Sequence, residues 1–200
     1  MSLQESNARK PDISLSLRTV ADDLVADGRL SPVDSEQLSL KTRRKEQLSW
    51  NPVELIAEEM FDDQNKPGRS LDLESLTIWL AEKAKQQYIR IDPLRIDSIV
   101  VTRIMSYEFA QRHQILALDV KEDEVVIASA QPYLHAWEET IEQSLPGKVL
   151  TRVVANPADI RRCTTEFYTM ARSVNKANAA GPNTSTLSNL EQMLELGQVE

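Results

Sequence analysis

The side chains that could carry out catalysis are few and far apart in this chain. His113 and His135 are its two histidines, and Cys163 is its one cysteine. Zinc sites draw ligands from closely spaced pairs, and these three residues contain no such pair, which argues against a metal site. Cys163 has no second cysteine to form a disulfide with, and its helical surroundings indicate a structural thiol in a reducing compartment rather than a nucleophile.

The acidic residues do not form a catalytic pair either. Adjacent carboxylates include the pairs Asp22/Asp23, Glu58/Glu59, Asp62/Asp63 and Glu138/Glu139. Neighbouring side chains on a helix point about 100° apart, so the two carboxylates of such a pair do not converge on one substrate. We expect them to lie on solvated helix faces. The sequence also contains no G-x-x-x-x-G-K-[ST] phosphate loop, nucleophile elbow or H-E-x-x-H motif. We therefore expect no enzymatic activity from this chain, and no metal or cofactor bound to it.

Charge and hydropathy narrow the possible partners. Thirty-one acidic and 23 basic residues give a formal net charge of −8, which argues against nucleic-acid binding, because phosphate backbones need clustered Lys and Arg. The basic run Lys41–Lys45 (KTRRK) has two interpretations, a solvated helix end, which we favour, or a docking patch. No apolar stretch has the length of a signal peptide or a membrane span. We expect a cytoplasmic protein that inserts into no membrane and reaches one only through a partner.

The first third of the chain predicts a small helical unit at residues 13–62, after a flexible tail at residues 1–12. Apolar residues at three- and four-residue spacings, from Leu17 to Val25, predict a helix that Gly28 terminates. Ser31-Pro32 and Asn51-Pro52 are start signals for two further helices. The following segment, residues 63–70, is rich in charge and contains Pro67-Gly68, which predicts a linker between domains.

Residues 71–171 predict an α/β domain. The expected order is a helix from about 73 to 86, a short strand at 88–91, a helix at 96–105, helical turns at 106–112, a hairpin at 115–129, a helix at 135–145, a strand at 149–155 and a helix from 157 to about 171. The overall prediction is an α+β fold, in which a three-helix unit precedes a small mixed sheet covered by helices. Residues 172–188 lack apolar periodicity and are rich in Asn, Ala and Ser, which predicts a second flexible linker.

Several elements of this region resemble one family. They are Ile91–Asp97 (IDPLRID), His113–Leu118 (HQILAL), a strand ending in Ala130-Gln131-Pro132, and Val154–Ile160 (VANPADI) before a helix with Phe167-Tyr168. In this order they resemble the N-terminal regulatory domain of the hexameric GspE/PilB-type ATPases of type II secretion and type IV pilus assembly, the MshEN-like domain. The resemblance covers about half of the chain, from Leu71 to Tyr168. It implies that residues 189–200 (NLEQMLELGQVE) begin an ATPase half that would bind ATP and Mg²⁺.

The same resemblance implies two alternative functions. In the first, the chain is a non-catalytic adaptor that docks its own ATPase domain to the cytoplasmic part of a platform protein in the bacterial inner membrane. Leu17, Val20 and Leu24 are its docking candidates, with a core role as their alternative. In the second, the helical unit binds cyclic di-GMP through a variant of the family's R-L-G-x-x-L-V motif, and Arg18, Gly28 and Arg29 are the candidate binding residues. Here Arg18 stands one position out of register with the motif's arginine.

Overall fold

The structure, a computed structural model, describes residues 12–179. Eight α-helices and four strands follow one another in these residues: α1 Leu17–Ala26, α2 Pro32–Leu40, α3 Pro52–Glu58, α4 Leu73–Lys83, β1 Gln87–Tyr88, α5 Ser98–Val101, α6 Tyr107–His113, β2 Ile115–Val120, β3 Glu124–Ser129, α7 Ala136–Ser144, β4 Val149–Val154 and α8 Pro157–Ala179. Short 3-10 helices occupy Lys45–Ser49 and Pro93–Arg95. No helix in this part of the chain is both long and apolar enough to cross a bilayer.

The four strands form one mixed sheet in the order β1-β4-β3-β2. The hairpin of β2 and β3 is antiparallel, whereas β4 is parallel to both of its neighbours. Two apolar arms on either side of a polar turn predict this pairing, and the N–H of Lys121 donates to the carbonyl of Glu124 at 2.8 Å across the turn. Helix α7 makes the crossover from β3 to β4, as a parallel connection requires. The predicted α+β fold with a small mixed sheet is confirmed.

A hydrophobic core lies between this sheet and its helices. Ile115, Ile127 and Val153 contribute strand residues to it, and Trp137 of α7 is completely buried there. Helix α8 adds Cys163 and Phe167 from its first half. Buried β-branched residues of the strands pack against aromatic residues of the helices, so the apolar face of the sheet is covered by close side-chain packing.

A second core lies inside the helical unit. Val20 and Leu24 of α1 pack there with Val53 and Ile56 of α3. Helix α4 contributes to the same core, through Leu76, Trp79 and Leu80, together with Leu71. The domain boundary at residues 63–70 stays a prediction, but α4, which we assigned to the α/β domain, buries its apolar face with the first three helices.

The segment at residues 63–70 is anchored at both ends in the structure. Asp62 forms an isolated antiparallel bridge with Ser70, and the N–H of Leu71 donates to the carbonyl of Phe61 at 2.7 Å. Asp63 is 3% exposed. The turn residues therefore form a closed loop between α3 and α4.

Three predicted elements differ most from the structure. Strand β1 has only two residues instead of the four predicted. The helix predicted at 96–105 is reduced to α5, because Asp97 caps a new start by accepting from the N–H groups of Ile99 and Val100. Helix α8 continues to Ala179, so the first eight residues of the predicted linker, 172–179, are helical. They contain neither Gly nor Pro, the residues that would end a helix. The rest of that linker, the tail at 1–11 and the segment 189–200 lie outside the described residues.

Candidate functional site

The three candidate nucleotide-binding residues do not converge. The Arg18 side chain is 91% exposed on α1, and its only ion pair in the described residues is with Asp22, at 3.8 Å. Gly28 follows α1 with a φ of +69°, the left-handed conformation that favours glycine after a helix. Arg29 turns into the protein, where it is 8% exposed. Arg18 and Arg29 line different cavities, so the structure does not bring the two guanidinium groups to one ligand.

Arg29 is held by a buried ion pair with Asp63. Its Nη2 and Nε atoms donate to Oδ2 of Asp63 at 2.5 and 3.1 Å, and its Nη1 donates to the carbonyl of Ser75 at 3.4 Å. Burial raises the pKa of Asp63, but hydrogen bonds from Arg29 and from the N–H of Asn65 outweigh it and leave that pKa below its ordinary value. The guanidinium therefore joins the end of α1 to the 63–70 loop.

Asp27 forms a second contact between α1 and α4. Its Oδ2 accepts from Nε1 of Trp79 at 2.7 Å and from Nζ of Lys83 at 3.1 Å. These hydrogen bonds, that of Trp79 first, lower the pKa of Asp27. Lys83 also lies 3.2 Å from Asp23 and 5.4 Å from the centre of the Trp79 ring, a cation–π distance. The sequence signal for these contacts is weak, because the partners are more than 50 residues apart.

The three docking candidates have different surroundings. Val20 is 1% exposed and Leu24 is fully buried, so both have the core role that was their alternative. Leu17 is partly buried and lines two adjoining cavities. Of the three, only Leu17 offers side-chain surface to a partner in this conformation.

The two cavities that Leu17 lines form one groove, which we call the α1/α2 groove. One part, of about 290 Å³, lies towards α3, and the other, of about 680 Å³, lies between α1 and α2. Leu17, Leu38, Lys41 and Arg43 line both parts. Leu55 adds to the apolar floor in the first part, and Ala21 and Val25 do so in the second. The groove thus combines an apolar floor with cations of the basic run and with the carboxylates of Asp22, Glu36, Glu58 and Glu59.

The basic run is partly neutralised by α3. Lys41 binds Glu59 through both carboxylate oxygens, at 2.5 and 2.6 Å. Arg44 donates to Glu58. Within residues 12–179, the side chains of Arg43 and Lys45 have no hydrogen-bond or ion-pair partner. The run begins at the end of α2, where Lys41 is the C-cap, and all five of its residues are exposed. Two of its four cations have no partner in the described part of the chain.

The helical unit and the sheet are joined by buried polar contacts. Asn51 is 1% exposed, and its amide donates to the carbonyl of Ala130 at 2.8 Å and to Gln114 Oε1 at 3.2 Å. Glu54 accepts from the Asn51 N–H and takes both terminal nitrogens of Arg161 at 2.7 and 3.0 Å. The pattern Asn51-Pro-x-Glu54 is a helix capping box readable in sequence, but its partners on the sheet side are not.

A third cavity, of about 260 Å³, lies beside this junction. Tyr107, Gln111 and Gln114 of the α6 region face Ile160 and Arg161 of α8 across it. Its one acidic side chain, Glu54, is already bonded to Arg161. The cavity lacks a pair of groups suited to acid–base chemistry, since its remaining polar groups are amides and hydroxyls.

The residues first considered for catalysis are dispersed. The Cys163 thiol is buried in the sheet core, and burial raises its pKa, which disfavours the reactive thiolate. The ring of His113 lies tilted against that of Phe109, with 4.5 Å between the ring centres, and burial lowers the pKa of His113. His135 lies 2.8 Å from Glu138, whose carboxylate also accepts from Arg152. Residues 12–179 contain no group of three or more His, Cys, Asp and Glu side chains that could hold a metal ion.

Comparison with known proteins identifies relatives of this chain. Residues 85–174 match the MshEN domain family, a range that runs from β1 into α8. The type IV pilus assembly ATPase TfpB of Acinetobacter baylyi is 35% identical over 176 residues, which span 88% of this chain and 30% of that protein. The chain therefore spans about 30% of the length of this curated relative.

The similar solved structures have lower sequence identity to this chain than TfpB has. The structure of MshE with cdg has a TM-score of 0.49 and 19% identity, and covers 74% of this chain and 98% of that chain. The structure of the N-terminal domain of XpsE has a TM-score of 0.40 and 12% identity, with 76% and 96% of the two chains covered.

Proposed function

We propose that this chain docks a motor ATPase to a membrane-anchored partner, because residues 85–174 match the MshEN domain family and most of the chain is similar to a type IV pilus assembly ATPase. The partner is the cytoplasmic part of an inner-membrane platform protein, and the system is a type IV pilus, as for the relative TfpB. In this role the chain holds the motor ATPase at the partner protein and does not itself hydrolyse ATP.

One observation carries the proposal: similarity to a pilus assembly ATPase extends over nearly the whole chain, including the helical unit that precedes the MshEN match. The packing supports a mechanical role. Two apolar cores are joined by the buried contacts of Asn51 and by the Glu54–Arg161 pair, so a force on the helical unit reaches the sheet through direct hydrogen bonds.

A binding measurement tests this function. The purified chain is mixed with the cytoplasmic domain of the inner-membrane platform protein encoded with it, at low and at moderate salt. We expect a saturable complex at both salt concentrations, because specific interfaces combine apolar and charged contacts. If no complex forms at either concentration, the docking function is wrong.

A further inference from the structure

We propose that residues 12–15, which we call the strap, fasten the helical unit to the sheet reversibly. In the closed state, which the structure shows, the strap lies along residues 130–135, the loop between β3 and α7. In the open state the strap leaves this loop as one unit, while both apolar cores stay folded. This motion takes place within the chain and is independent of the docking function.

The strap runs antiparallel to the loop. The N–H of Ile13 donates to the carbonyl of Tyr133 at 3.2 Å, and the N–H of Leu15 donates to Oε1 of Gln131 at 3.0 Å. The partner moves back two positions as the strap moves forward two, which is the register of an antiparallel pair. Alternate N–H groups directed to one neighbour indicate an extended segment held beside the loop.

Asp12 connects the strap to α7. Its Oδ1 accepts from the N–H of His135 and, at 3.1 Å, from that of Ala136, at the start of the helix. A helix leaves its first N–H groups without an internal acceptor, and the His135 side chain does not cap them. A carboxylate at this end also interacts favourably with the helix dipole. Because the cap of α7 comes from a residue 123 positions before His135, opening the strap uncaps the helix.

The strap and the loop lie where the two cores meet. Leu15 and Tyr133 pack against the core of the helical unit, and the next loop residue, Leu134, packs against the core of the sheet. Nε2 of Gln131 donates to Oε1 of Gln114 at 3.5 Å, and that oxygen also accepts from the buried amide side chain that caps α3. The strap is therefore hydrogen-bonded, through Gln131, to the polar junction between the two parts of the fold. Its opening removes one of the links that make them move together.

The strap is held less firmly than the junction. Its first three residues are exposed, with Ile13 at 51%, and only Leu15 is partly buried. Asn51 and Glu54, by contrast, are 1% and 5% exposed. Local opening requires least free energy where hydrogen bonds face solvent and few apolar side chains are buried. The strap therefore opens first, and the fully buried Leu24 keeps α1 in its core when it does.

Hydrogen exchange of single amides, measured by NMR in the original chain and its variants, tests the strap. Asp12→Ala removes the cap of α7, and we expect the amides of His135 and Ala136 to exchange about fivefold faster, as for a lost N-cap. Because the strap opens as one unit, the amides of Ile13 and Leu15 should accelerate at least about threefold, although Asp12 bonds neither.

A pair of proline variants tests the same coupling from within the strap. Ile13→Pro removes the N–H that donates to Tyr133, and should speed exchange of the two α7 amides at least about threefold while their cap is intact. The matched control is Ser14→Pro, at an exposed neighbour whose N–H has no hydrogen-bond partner within residues 12–179. Both positions lie in extended chain that a proline fits, so the control should leave these amides within about twofold of the original.

Three results would overturn the strap. Acceleration confined to His135 and Ala136 in Asp12→Ala would show a helix cap that does not open with the rest of the segment. Equal behaviour of the two proline variants, whether fast or unchanged, would show that the Ile13 N–H does not hold α7. Acceleration of the β3 amides by the same factor would show that the strap opens only when the sheet core unfolds. Coupled acceleration in Asp12→Ala and Ile13→Pro, with the control and the β3 amides unchanged, supports a separate open state.

Discussion

The buried Arg29–Asp63 ion pair allows the loss of folding stability on its removal to be predicted from the structure. The Arg29 side chain is 10% exposed and that of Asp63 is 2% exposed, with 2.5 Å between Nη2 and Oδ2. At about 3 Å and an effective dielectric constant near 20, the attraction is about 5 kcal/mol, and desolvation of both charges offsets much of it. Arg29→Met keeps most of the apolar stem but leaves Asp63 buried with one backbone donor. We expect the free energy of unfolding to fall by about 3 kcal/mol, the lower end for breaking a buried pair.

Urea denaturation followed by tryptophan fluorescence and circular dichroism measures this change. The double variant Arg29→Met with Asp63→Leu removes both charges and should recover most of the loss, because well-packed apolar residues often replace a buried pair without cost. The control is Arg18→Ala, since the exposed Arg18–Asp22 pair contributes no more than about 0.5 kcal/mol. A loss below about 1 kcal/mol for Arg29→Met, or no recovery in the double variant, would refute the burial argument.

The same pair sets a pH dependence. Since the pKa of Asp63 is lower in the folded state than its ordinary 3.8, the carboxylate stabilises the fold above about pH 4. This contribution is lost as the pH falls from 3.8 through the lower folded pKa. The double variant without the charge should show a smaller loss of stability between about pH 4 and 2 than the original chain.

Other predictions follow from separate parts of the structure. Burial raises the pKa of Tyr168 to about 12, so the stability that the protonated phenol contributes is full below pH 10 and is lost as the pH rises through 12. Burial also raises the pKa of Tyr88 and Tyr133, but ultraviolet titration should show that the last step is the one that Tyr168→Phe removes, and a last step that survives this substitution would contradict the assignment. Glu54→Gln should lower stability by about 2 kcal/mol in urea denaturation, because the charged bonds to Arg161 are lost, and a change below about 0.5 kcal/mol would show that the contact is not stabilising. Calorimetry with cyclic di-GMP should show no saturable binding, since the Arg29 guanidinium is already bonded to Asp63. A saturable heat that is lost in the Arg18→Ala variant would instead support the nucleotide-binding hypothesis. The purified chain should release no phosphate from ATP, and hydrolysis at any rate above a heat-treated control would overturn its non-catalytic role.

Local patterns predicted the sheet side of the fold well. The hairpin follows from two apolar arms around a polar turn, and Asn156-Pro157 marks the start of α8. Boundaries that depend on competing local signals were predicted less well. Asp97 divides an apolar run that also fits one continuous helix, and the composition of residues 172–179 suggested a linker although no residue there stops a helix.

The candidate site was harder to predict, because its decisive contacts are long-range. From the sequence Arg29 was a candidate nucleotide-binding residue, and its partner Asp63 is 34 positions away. Glu54 and Arg161 are 107 positions apart. The apolar stripe of α4 predicts that one face of this helix is buried. Periodicity alone does not tell whether that face packs in the core of the helical unit or in the core of the sheet. The KTRRK run was recognised, but which of its cations have partners depends on Glu58 and Glu59 of α3.

The affinity of the chain for the cytoplasmic domain of its platform protein tests the central claim most directly. Titration of the original chain at low and moderate salt should give a saturable complex of micromolar or tighter affinity, which corresponds to about 8 kcal/mol of binding free energy. No saturation at either salt concentration, with both proteins folded by circular dichroism, would contradict the docking function.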